Sequence, residues 1–151
     1  MGASDTIIQS LHKFADFNDR ATRSEFWTFL AFVMVAQAGA RLVDAYLGHG
    51  PLAGPVASLT TLTLLVPLIS VAVRRLHDID RSARELLGPC LSLLASPLIM
   101  LLASVFGTIV ALGYSAVTLL LFGRLLLMLA RAGARFSNRY GERPTDDSFA
   151  Y

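Results

Sequence analysis

The sequence predicts an all-α integral membrane protein, a four-helix bundle in the bilayer preceded by an interfacial amphipathic helix. Three observations predict it. The chain of 151 residues is 54% hydrophobic and only 16% charged, with a mean hydropathy of +0.58, whereas soluble domains carry about 25% charged residues. Four long apolar runs can be read along it. Nearly all of its bases fall in three short segments: Lys13, Arg20 and Arg23 before run one; Arg74, Arg75, Arg81 and Arg84 between runs two and three; and Arg131, Arg135, Arg139 and Arg143 after run four. An even number of crossings puts those segments in one compartment, and the Lys/Arg bias of short loops makes it the cytoplasm. Both termini are therefore expected there, and the length fits a single membrane domain over 1–151.

The first predicted element is a short amphipathic helix over about 6–17. Ile7, Ile8, Leu11, Phe14 and Phe17 recur at helical spacing, opposite Gln9, Lys13 and Asp16, and Ser4 or Asp5 is placed to cap the start. Just ahead of a span, such a helix is expected in the headgroup layer. Run one, about 26–47, is long enough to cross the roughly 30 Å of hydrocarbon. Thr22-Arg23-Ser24-Glu25 reads as a capping box at its start, and Phe26 and Trp27 as interfacial aromatics. Arg41 and Asp44 share a face near its far end. They read as a local ion pair or, more sharply, as functional intramembrane charges.

Gly48, Gly50, Gly54, Pro51 and Pro55 mark an outer loop without Lys or Arg. Run two covers about 56–73, with Pro67 inside it and Thr60, Thr61 and Thr63 available for interhelical hydrogen bonds. Ser82-Ala83-Arg84-Glu85 reads as a second capping box. Residues 86–130 then hold one charge, Arg124. A single helix of that length would run about 67 Å, more than twice the hydrocarbon thickness, so the chain must fold back. Spans at about 86–105 and 108–130 are predicted, turning near Gly107 or, alternatively, near Gly113, with Pro97 kinking the third and Gly107, Ala111 and Ser115 forming a small-residue packing stripe. Arg124 lies about two turns inside run four, free to snorkel or to pair with Asp44 or a partner subunit. The tail, 131–151, turns from basic to acidic.

Several classes are excluded. Cys90 is the only cysteine, so neither an intrachain disulfide nor a cysteine zinc site is available. Ala36-Gln37-Ala38 resembles a signal-peptidase site, but Asp5, Asp16, Asp19 and Glu25 precede it, unlike a signal peptide. No phosphate-binding loop, dinucleotide glycine pattern or nucleophile motif is present. No catalytic residue, cofactor or metal site is assigned, and nucleic acid is not an expected partner because the bases lie against a membrane.

Phe17-Asn18-Asp19-Arg20-Ala21-Thr22-Arg23-Ser24-Glu25-Phe26-Trp27, Arg74-Arg75-Leu76-His77-Asp78-Ile79-Asp80-Arg81-Ser82 and Asn138-Arg139-Tyr140-Gly141-Glu142-Arg143-Pro144 together resemble, in order, three motifs of the domain of unknown function 805 family, the YhaH-like bacterial inner-membrane proteins. Asp19 departs from a usual glycine, Ala83-Arg84 stands where an aromatic pair is common, and the stretch between the second and third motifs looks longer than usual. The resemblance implies the bacterial inner membrane and brings no established activity.

The candidate site is therefore a polar cluster at the cytoplasmic boundary: Arg20, Arg23, Glu25, Arg74, Arg75, His77, Asp78, Arg81, Asn138 and Arg139. One reading makes it structural, with arginine–carboxylate pairs. A second places a phospholipid headgroup on Arg74, Arg75, Arg81 and Arg84. A third uses His77 as an acid/base oriented by Asp78 or Asp80, although adjacent side chains on a helix rarely face each other. Function follows the same division. A non-catalytic interaction protein, an accessory subunit or homo-oligomer, is favoured over an anionic-lipid binder or enzyme and over an oligomeric transporter or channel using Arg41, Asp44 and Arg124. Expected partners are anionic lipid headgroups and another membrane protein or a second copy.

Overall fold

A computed structural model describes residues 2–49 and 54–142. Gly50, Pro51, Leu52 and Ala53 of the expected outer loop, and Arg143, Pro144 and the tail end to Tyr151, lie outside the described residues. Five α-helices follow one another: α1 Ala3–His12, α2 Arg23–Tyr46, α3 Pro55–Asp78, α4 Leu87–Phe106 and α5 Thr108–Leu129, with a 3-10 turn Ala83–Leu86 leading into α4. Four of them are long and apolar enough to cross a membrane.

Where each helix begins and ends follows from local chemistry. The first lies N-terminal to its expected position, 3–12 rather than 6–17, and leaves Ile8 and Leu11, and after its end Phe14 and Phe17, exposed. At the start of α2, Thr22 Oγ1 accepts the Glu25 N–H at 3.1 Å. Only that half of the expected capping box forms among the described contacts, because the Glu25 carboxylate turns to Arg74 instead. Ser82 makes no side-chain cap at all, and the chain enters α4 through the 3-10 turn. The turn between α4 and α5 falls at Gly107, whose φ of 86° suits a residue without a Cβ.

The larger difference is α3. It runs on through Arg74, Arg75, Leu76, His77 and Asp78, which the sequence reading assigned to the segment between spans. Its 24 residues rise about 36 Å, longer than the roughly 30 Å of hydrocarbon that a helix must cross. A Schellman motif ends it: Asp80 N–H donates to His77 O at 3.0 Å and Arg81 N–H to Leu76 O at 2.9 Å. Asp80 takes the left-handed position usually given to glycine, with φ 57°.

At the opposite end, α3 starts on Gly54 and Pro55, which offer no capping side chain. Asp44 of α2 supplies one. Its carboxylate accepts Val56 N–H at 3.0 Å and Ala57 N–H at 2.7 Å. Both oxygens thus hold a neighbouring helix, a different role from the local Arg41 ion pair the sequence suggested. Midway along, Gln37 Nε2 donates to Thr61 Oγ1 at 2.9 Å. Thr60 and Thr63 bond back to their own helix.

The apolar core lies at one end of the bundle, hereafter the base. Phe26, Phe29, Val71, Ala72 and Leu76 of α2 and α3 meet Leu125 and Leu129 of α5 there. Beyond this point α4 and α5 pack chiefly on each other, with Leu121 against Gly88 and the Tyr114 hydroxyl donating to Ser92 O. A third of α3's most apolar stretch is buried, against 6% of that of α5. The expected small-residue stripe is not drawn into packing: Gly107 caps the turn and has open space where a Cβ would lie, and Ser115 is exposed.

Candidate functional site: a polar clasp at the base of the bundle

The clasp forms because three segments distant in sequence end at the base. The linker before α2 brings Arg20, the last turn of α3 brings Arg75 and Asp78, and the chain after α5 brings a run of backbone carbonyls. Arg20 is 1% exposed. Its Nε and Nη2 donate to Asp78 Oδ1 at 3.1 and 2.8 Å. Nη1 donates to Phe136 O and Gly141 O, each at 3.1 Å, and Nη2 also to Ala134 O at 2.9 Å. That uses all five N–H groups of a guanidinium.

Arg75 is equally buried and works on α5. Nε donates to Leu129 O at 3.0 Å, Nη2 to Arg131 O and Nη1 to Asp78 Oδ2. It thereby satisfies carbonyls at and just past the C-terminus of α5, where a cation is also favoured by the helix dipole. Asp78 is shared, one oxygen for each arginine, and its backbone carbonyl accepts Ala134 N–H at 2.8 Å. The returning chain comes so close that a Cβ on Gly133 would lie 2.0 Å from Asp78 Oδ2.

The third motif folds over this centre. Asn138 and Gly141 exchange backbone hydrogen bonds in a tight loop. Asn138 Nδ2 donates to His77 O at 2.8 Å. The Tyr140 ring stacks on the His77 imidazole, 3.8 Å between centroids and 5° from parallel. The Arg139 guanidinium also lies over the Tyr140 ring, 4.8 Å from its centroid, and pairs with Asp80 at 3.1 Å.

Beside the clasp, Arg74 and Glu25 form a fully buried ion pair at 2.7 Å under α1. It is a charge contact without hydrogen-bond alignment, since the three Arg74 nitrogens make no hydrogen bond. Ser10 Oγ reaches Glu25 at 3.4 Å. Ser70 Oγ donates to Asp16 O at 2.6 Å and ties the linker down. Asp19, outside the spans, is raised by partial burial. Lys13 at 2.8 Å and the Arg20 N–H outweigh that, with the charges of Lys13 and Arg74, and hold its carboxyl below the ordinary 3.8.

Of the residues expected in the cluster, Arg20, Arg75, Asp78, His77, Asn138 and Arg139 meet in it. Arg23 borders it through Arg131 O at 3.2 Å. Glu25 and Arg74 form the neighbouring pair. Arg81 stands apart, 3.7 Å from Glu85. Arg124 also pairs with Glu85, at 3.0 Å, rather than with Asp44. Arg41 and Asp44 lie at the far end of α2. Sequence reasoning missed Gly133, Tyr140, Glu85 and the carbonyls after α5. Tyr140 stood inside a recognised motif, whereas backbone carbonyls leave no signal in a side-chain pattern.

The Arg20–Asp78–Arg75 centre is satisfied internally. Asp78 faces Arg20 and Arg75, and Asp80 faces Arg139, so among the described residues neither carboxylate pairs with His77, whose Nδ1 is buried without a hydrogen bond. Among the described residues no three His, Cys, Asp or Glu side chains gather as a metal site.

The family described as "Protein of unknown function (DUF805)" matches residues 14–142, nearly all of the chain and all of this clasp. The chain belongs to the DUF805 family. It is 35% identical over 82 residues to "Inner membrane protein YhaH" of Escherichia coli strain K12, covering 52% of this chain and 67% of YhaH. It is 34% identical over 76 residues to "Inner membrane protein YhaI" of the same strain, covering 50% of this chain and 62% of YhaI. No solved structure matches it significantly. With four apolar helices and inner-membrane relatives, this DUF805 member is a multi-pass inner-membrane protein.

Proposed function

We propose that this DUF805 protein is a non-catalytic interaction or accessory subunit of a membrane complex, held with its clasp on the cytoplasmic side. One observation carries the reading. The motif side chains are engaged with one another and with backbone, Arg20 through every N–H it has. The motifs therefore serve to lock the linker before α2 and the segment following α5 onto the α2/α3 pair, and leave the α4/α5 hairpin offered sideways in the bilayer. The orientation is supported by the three basic segments, which converge at the base.

Extraction of the native protein in detergent-free lipid particles, followed by mass spectrometry of co-purifying proteins, tests the function. A stoichiometric partner, or a second copy, is the expected result. A monomer with no partner sinks the reading. Reporter fusions at each terminus test the orientation, with cytoplasmic activity expected at both. The transporter reading is disfavoured because two of its intramembrane charges are occupied, Asp44 as a helix cap and Arg124 by Glu85.

A further inference from the structure

The expected phosphate site at Arg74, Arg75, Arg81 and Arg84 does not exist as a unit, since Arg74 and Arg75 are buried and engaged. A different set of arginines, Arg84, Arg124 and Arg131, is exposed. Between the start of α4 and the base of α5 lies a cavity of about 130 Å³, lined by Arg84, Glu85, Gly88, Leu121 and Arg124 among others. Next to it a groove of about 380 Å³ runs along α5 past Leu119, Leu120, Gly123, Leu127 and Arg131, with Arg124 bordering both. Leu120, Arg124 and Leu127 are spaced by four and three residues, so they form one stripe down a single helix face, and Arg131 lines the groove just past the end of α5. Gly123 forms the floor, with open space where a Cβ would stand.

Together the two concavities are lined by three arginines, Arg84, Arg124 and Arg131, and a single carboxylate, Glu85, which already faces Arg124 at 3.0 Å and Arg81 at 3.7 Å. Positive charge is therefore in excess beside leucines exposed to the bilayer. Arg124 sits five residues before the end of α5, about 7–8 Å up the helix. Glu85 is the one carboxylate facing both Arg124 and Arg81, so it does not neutralise the local charge, and a guanidinium at that depth gains from a phosphate beside it. Water-soluble anions are a poor match for an apolar groove that opens to lipid.

We propose that this groove binds one anionic phospholipid, its phosphate held by Arg124 and Arg131 and an acyl chain seated over Gly123 between the α5 leucines. The site is independent of the accessory-subunit reading. Glu85 competes with the phosphate for Arg124 and so tunes the affinity.

The test uses the full chain in mixed micelles, titrated with phosphatidylglycerol or phosphatidylcholine and read by native mass spectrometry. Phosphatidylglycerol is expected to be retained preferentially. Arg124→Gln and Arg131→Gln should each weaken it about fivefold, the equivalent of about 1 kcal/mol per surface cation, and leave phosphatidylcholine unchanged. Glu85→Gln should strengthen it. Gly123→Leu, which fills the groove without altering charge and favours the helix, should weaken it as well. Equal retention of the two lipids, or an unchanged preference in the Arg124→Gln/Arg131→Gln double variant, would overturn the proposal. So would a neutral Gly123→Leu, or displacement of the lipid by millimolar inorganic phosphate, which would make this a free-phosphate site.

Discussion

Arg20 and Asp78 show how a motif residue can be specified by geometry alone. A lysine at position 20 would offer three donors in place of a planar fork of five, and would leave carbonyls among Ala134, Phe136 and Gly141 unmet. Asp78 answers two guanidinium groups at once. Asp78→Asn should therefore cost about 3–5 kcal/mol, the range for breaking a buried pair from one side, read as a lowered Tm in detergent. Gly133→Ala should cost roughly 1–3 kcal/mol by overpacking, because the added methyl meets the Asp78 carboxylate; an unchanged Tm would refute that contact. Asp19 sets a pH dependence. Its carboxyl is held below the ordinary 3.8. The stabilisation it brings is thus present above that value and fades as the pH falls through the lower folded value. Lys13→Gln should move its NMR titration midpoint back up.

Among the elements, α3 is the organiser, and its two ends are held by side chains from elsewhere. Asp44 caps its start from α2, and Arg20 and Asn138 bind its last turn from the linker and the tail. Asp44→Ala should destabilise the protein by about 1–2 kcal/mol, as loss of a cap does, and Asp44→Asn should recover part of it through one remaining acceptor oxygen. Hydrogen exchange at Val56 and Ala57 checks the order wild type, Asn, Ala from slowest to fastest. Gly54 belongs to the same device, since a Cβ there would fall 1.9 Å from Asp44 Cγ. The existence of the four long helices was legible from apolar length. The end of α3 was not, because Arg74, Arg75, His77 and Asp78 are polar residues buried by tertiary contacts, and a hydropathy reading stops where polarity begins.

At the scale of the whole molecule, the bundle is joined at its base and splayed above it. The α4/α5 hairpin meets the α2/α3 pair through Leu125 and Leu129, while the upper part of α5 faces outward. Leu129, 2% exposed, and Leu112, 69% exposed, should therefore respond differently to truncation. Leu129→Ala should cost about 2 kcal/mol, the low end for a buried leucine because lipid rather than water is the alternative surrounding. Leu112→Ala should stay within about 0.5 kcal/mol. Equal losses in a chemical unfolding series would mean that the hairpin packs along its whole length.

The sequence by itself determined the class, the number of apolar spans and the family. Those depend on signals local to a stretch of chain: apolar length and motifs in a given order. Two glycines, Gly107 and Gly113, could each have turned the last hairpin, and the structure puts the turn at Gly107. The tertiary structure alone decided what the motifs do. The same arginines read equally well as an open phosphate site or as a closed clasp, because a guanidinium's role depends on which acceptors reach it. For Arg20 and Arg75 those acceptors include Asp78 and the carbonyls of residues up to 121 positions away. Only folding brings them together, and only folding leaves Arg124 and Arg131 exposed beside one groove.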